Sequence, residues 1–72
     1  MSPALPVVSG TQVVAALVKT GFVQVSQRGS HVKLRTAERV AIVPLHRELA
    51  SGTLSSVLRQ AGLSREEFVA LL

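Results

Sequence analysis

Phe22-Val23-Gln24-Val25-Ser26-Gln27-Arg28-Gly29-Ser30-His31-Val32-Lys33-Leu34-Arg35 carries two runs of alternation around a turn signal. Residues 22–27 are rich in strand-forming types, Arg28-Gly29 supplies a turn, and residues 31–36 alternate again. Side chains two apart on a strand share a face. His31, Lys33 and Arg35 therefore line one face, while Val32 and Leu34 point to a core. Ala37-Glu38 reads as a second short turn. Residues 39–44, Arg-Val-Ala-Ile-Val-Pro, read as a third and more buried strand. Pro44 cannot donate to a ladder and should end it. The expected sheet is a three-stranded antiparallel meander.

Helical signals flank the sheet. Ser9-Gly10-Thr11-Gln12 has the form of a capping box, with Thr11 as a competing cap, and Val13, Val14, Leu17 and Val18 recur at helical spacing. Lys19 suits the negative end of the helix dipole and Gly21 suits its exit, which predicts a helix over about residues 10–20. Beyond the sheet, residues 45–50 are expected to hold a short turn closed by Gly52. Thr53 is then expected to cap a helix bearing the stripe Leu54, Val57, Leu58, Ala61, ended by Gly62. Ser64-Arg65-Glu66-Glu67 is a second capping box, leading into Phe68, Leu71 and Leu72. The order α-β-β-β-α-α, built from amphipathic strands and helices, predicts a two-layer α+β domain with the helices on one face of the sheet. Residues 1–8, with Pro3 and Pro6, read as an irregular lead-in, and residues 9–72 as one domain.

Composition narrows the function classes. Of 72 residues 47% are hydrophobic, which is a folded composition. A chain this short buries only about 60% of its unfolded surface. It has no Cys, so neither a disulfide nor a thiolate metal site is available. No apolar run is long enough to span a bilayer, and residues 1–8 lack the pattern of a signal peptide, which predicts a cytoplasmic protein with no membrane partner. Eight Lys and Arg stand against four Glu, a net charge of +4. A basic balance favours polyanionic partners, with RNA the first to consider. Phe22 and Phe68, the only aromatics, sit at core positions, which argues against base-stacking platforms.

His31 is the sharpest candidate for chemistry. An imidazole exchanges protons near neutral pH, and a ribonuclease must both remove the 2′-hydroxyl proton and protonate the leaving 5′-oxygen. Arg28, Lys33 and Arg35 suit charge stabilisation on the phosphorane without a metal. Gly29 and Ser30 suit close approach of backbone N–H groups and a hydroxyl to phosphate. The plainer alternative is a solvated strand face beside a turn histidine. His46, after Pro44-Leu45, is a candidate second site residue, although a structural role in the bend is favoured. His31, His46 and a Glu match no metal-ligand spacing, so neither metal nor cofactor is expected. Ser30 lies in no G-x-S-x-G elbow, and the chain has no Asp to orient a histidine, so a serine-hydrolase reading fails.

A family pattern runs through the same residues. Leu17…Gly21-Phe22, Arg28-Gly29-Ser30-His31, Val43-Pro44-Leu45-His46 and Glu48-Leu49 are followed by Gly52-Thr53-Leu54, then by Val57-Leu58-Arg59-Gln60-Ala61-Gly62-Leu63-Ser64 and Glu67-Phe68. From about residue 9 to the end, this series resembles a HicA-type toxin. The resemblance implies a fold like that of a double-stranded-RNA-binding domain and a role as a type II toxin. It further implies mRNA interferase activity and a cognate HicB antitoxin that covers the active site. The family's functional histidine lies in the Gly-Ser-His turn, here His31. The segment before Ser9 is longer than the family's usual start, and residues 36–38 make a tight second turn. A non-catalytic RNA-binding module of the same fold is the alternative, since fold does not fix function.

Overall fold

The computed structural model describes residues 4–72. The elements run α1 (Gly10–Lys19), β1 (Val23–Arg28), β2 (His31–Arg35), β3 (Val40–Pro44), α2 (Ser51–Ala61) and α3 (Arg65–Ala70). The strands form one antiparallel sheet in the order β1-β2-β3. This is the expected α+β meander with flanking helices. The first three residues of the lead-in lie outside the described residues. Residues 4–9 carry neither helix nor strand, yet Val8 is buried and its carbonyl accepts the Leu49 N–H at 2.9 Å.

Local chemistry explains most of the boundaries. Ser9 caps α1: its hydroxyl accepts the Gln12 N–H at 3.1 Å, and the Gln12 side chain accepts the Ser9 N–H at 2.8 Å. Two of the donors that a helix start leaves without partners are thereby satisfied. Ser64 and Glu67 repeat the arrangement at α3, at 3.1 and 2.8 Å. Gly62 closes α2 with φ of 72°, in the left-handed region where a side chain would be strained. The β2–β3 turn is organised by Thr36, whose hydroxyl accepts the Arg39 N–H at 3.0 Å while its own N–H donates to the Arg39 carbonyl at 2.9 Å.

The core lies between the helices and one face of β2 and β3. Val32 and Leu34 meet Ala41 and Val43 there, together with Val13 and Leu17 of α1, Leu54, Val57 and Leu58 of α2, and Phe68 of α3. Phe22 is also buried, so both aromatics belong to the core. Each Val, Leu or Phe side chain removed from water there contributes about 1.5–3 kcal/mol. Gln60 of α2 reaches the outer edge of β3, where its side-chain oxygen accepts the Ile42 N–H at 2.9 Å. That bond occupies a donor which an edge strand otherwise leaves open.

Three expectations need correction. β1 is exposed along its whole length rather than alternating, because the helices pack against β3 and leave β1 overhanging. It also shifts register between Gln24 and Ser26, which takes Val25 out of the ladder. α2 begins at Ser51 with Ala50 as an N-cap that makes no side-chain bond, so Thr53 lies inside the first turn and Gly52 closes nothing. The hairpin turn is Gly29-Ser30 rather than Arg28-Gly29: Arg28 is the last residue of β1 and pairs with His31. Gly29 has φ of 59° while Ser30, the second residue of the turn, has no positive φ, the requirement of a two-residue turn with glycine first.

Candidate nucleic-acid interface

The face of the sheet away from the helices is built by the pairing register. Residues directly opposite on neighbouring strands share a face. Arg28 pairs with His31, Ser26 with Lys33 and Val23 with Arg35 across β1 and β2. His31 pairs with Pro44, Lys33 with Ile42 and Arg35 with Val40 across β2 and β3. β2 itself is exposed at His31, Lys33 and Arg35 and buried at Val32 and Leu34. The strands carry three Arg and Lys residues and no carboxylate, since all four Glu lie in the turns and helices. The face is therefore uniformly basic, with Val23, Val40 and Ile42 as its exposed apolar part.

A depression of ≈ 380 Å³ opens on this face, lined by Ser26, Arg28, His31, Lys33 and Ile42. Three of the residues singled out from the sequence, Arg28, His31 and Lys33, meet there. Arg35 shares the face but lies at the far end of β2, outside the depression. Gly29 and Ser30 form the turn beyond its His31 end. Sequence reasoning missed Ser26 and Ile42. Their signal was cross-strand register, and it requires knowing which residue faces Lys33 on each side.

The His31 end is fastened to the chain segment after β3. The Ser30 carbonyl accepts the Leu45 N–H at 2.6 Å, which carries the ladder one residue past Pro44. The next residue is His46. Its ring centroid lies 6.5 Å from that of His31, with the ring planes 75° apart. The His46 carbonyl accepts the Gly10 N–H at 2.9 Å, so the start of α1 anchors this segment from behind. Gly10 is needed for that contact, because a Cβ there would overlap the Pro44 carbonyl oxygen. No side-chain hydrogen bond among the described residues involves either imidazole. Both rings are exposed and free to meet a ligand.

The family described as "HicA toxin of bacterial toxin-antitoxin" matches residues 10–63, three-quarters of the chain. The chain belongs to the HicA toxin family. It is thus the toxin of a bacterial toxin–antitoxin pair, and an antitoxin is its expected counterpart. No curated protein matches the chain. The matched region of this HicA toxin covers α1, the whole sheet, α2 and both histidines. Among the described residues no group of three or more His, Asp or Glu is placed to hold a metal ion. No helix among the described residues is long and apolar enough to cross a membrane.

Proposed function

We propose that this HicA toxin is an endoribonuclease that cleaves mRNA without a metal ion, within a type II system in the cytoplasm. The supporting observation is the meeting of Arg28, His31 and Lys33 around one depression on a sheet face free of carboxylates. Arg28 and Lys33 attract the RNA backbone and offset the charge that builds on phosphorus in the transition state. His31 exchanges a proton with the reacting oxygens, the role an imidazole fills best near neutral pH. Arg35, on the same face beyond the depression, holds a neighbouring phosphate. Gly29 and Ser30 give the backbone close approach at the other end.

The partner in this reading is a HicB-type antitoxin. Val23, Val40 and Ile42 are exposed beside the cations, and a basic surface with an apolar component suits a protein cover as well as RNA. A cover laid on this face excludes RNA from His31.

The test compares wild type with His31→Ala on a cellular mRNA. Cleavage should fall by about a hundred-fold or more. RNA binding should persist, with a log–log salt slope of about −0.7 per phosphate contact. A wild-type protein that binds RNA tightly and leaves it intact would establish the non-catalytic module instead. Absence of salt-sensitive RNA affinity would mark a pure protein-interaction domain.

A further inference from the structure

We infer that His46 is the second proton-transfer group of the site, the general acid to the general base His31; this rests on the ribonuclease reading above. Transesterification of RNA needs two proton transfers on opposite sides of phosphorus, and one imidazole does not supply both in the same step. Arg28 and Lys33 are assigned to the phosphate charge, and neither is an imidazole, the group that most often relays protons in catalysis. His46 brings the only other imidazole of the chain to the same end of the sheet.

The geometry favours a shared ligand over a direct contact between the rings. At 6.5 Å between centroids, in an edge-on arrangement, the imidazoles are not hydrogen-bonded to one another. A hydrogen bond to a phosphate ester oxygen takes about 2.8 Å. One phosphodiester held between the rings can then meet an imidazole on each side. Both rings come from pinned backbone. His31 opens β2 beside the two-residue turn, and His46 is held through the Leu45–Ser30 and Gly10–His46 bonds. Fixing two groups at a set separation is the condition under which positioning contributes most to rate.

Neutral His31 takes the proton of the 2′-hydroxyl as that oxygen attacks phosphorus. The bond from phosphorus to the 5′-oxygen breaks, and protonated His46 gives its proton to that oxygen. The products are a 2′,3′-cyclic phosphate and a 5′-hydroxyl. His31 is left protonated and His46 neutral, and exchange with water restores both.

The acid role is tested with RNA in which sulfur replaces the bridging 5′-oxygen at one cleavage site, since a thiolate leaves without protonation. His46→Ala should cut ordinary RNA at least about a hundred-fold more slowly than wild type, yet approach the wild-type rate on the sulfur-bridged RNA. His31→Ala should stay slow on both. His46→Asn, with RNA binding and circular dichroism matched to wild type, should repeat the pattern and so exclude loss of fold. A folded His46 variant that cuts ordinary RNA at the wild-type rate overturns the proposal. So does one that is slow on both substrates, which would make His46 a positioning group. Wild type inactive on both substrates overturns the ribonuclease reading itself, an outcome distinct from these.

Discussion

Gly10 shows how one atom can couple the fold to the site. Elsewhere in a helix, exchanging Gly for Ala stabilises by about 0.5–1 kcal/mol. Here the added methyl meets the Pro44 carbonyl, and the bond from Gly10 N–H to the His46 carbonyl lies alongside. Gly10→Ala should therefore destabilise by about 1–3 kcal/mol, the usual cost of overpacking, read as a lower urea midpoint. It should also slow RNA cleavage beyond what the unfolded fraction explains, because the displaced segment carries His46. His31 was legible from sequence since alternation and a turn glycine fix its face with local information alone. The nearness of His46 was not. It depends on β3 running back to the turn, on Leu45 reaching Ser30 and on α1 closing behind, three contacts between parts of the chain distant in sequence.

At the scale of elements, both capping boxes were readable because side chains three residues apart satisfy them. The start of α2 was not. Leu49 is buried and its N–H is bonded to Val8, so packing fixes where the chain turns, and the helix begins at Ser51 without a side-chain cap. β1 misled in the other direction. Its alternation correctly marks a strand, but burial requires a layer beneath it, and the helices do not extend that far. The α3 cap makes an acid-side prediction. The Glu67 carboxylate accepts the Ser64 N–H at 2.8 Å, and the bonds with Ser64 hold its pKa below the ordinary value. A depressed folded-state pKa stabilises fully above the ordinary glutamate value of about 4.3 and is lost as pH falls through the folded value. Glu67→Gln should thus lower stability at neutral pH and flatten the acid limb, the two proteins converging as pH falls below about 4.3. Ser64→Ala should cost about 1 kcal/mol at neutral pH. Urea titrations across pH 2–7 check both.

On the scale of the whole molecule, the helices cover one face of the sheet and leave the other bare. The core side chains Val32 and Leu34 alternate with His31, Lys33 and Arg35, so the strand that closes the core also displays the site. The sequence revealed this division of β2 directly. It could not reveal that Ser26 and Ile42 complete the depression, since register across two turns decides that. A bare face that is basic and partly apolar suits both the RNA substrate and the antitoxin proposed for it. The proposed chemistry is cleavage of RNA on this face through His31. It is tested most directly by incubating purified toxin with mRNA in EDTA and identifying the new ends. Wild type should leave 2′,3′-cyclic phosphate and 5′-hydroxyl ends, and His31→Ala should leave none. Intact RNA, cleavage only when a divalent cation is restored, or equal cleavage by His31→Ala would contradict it.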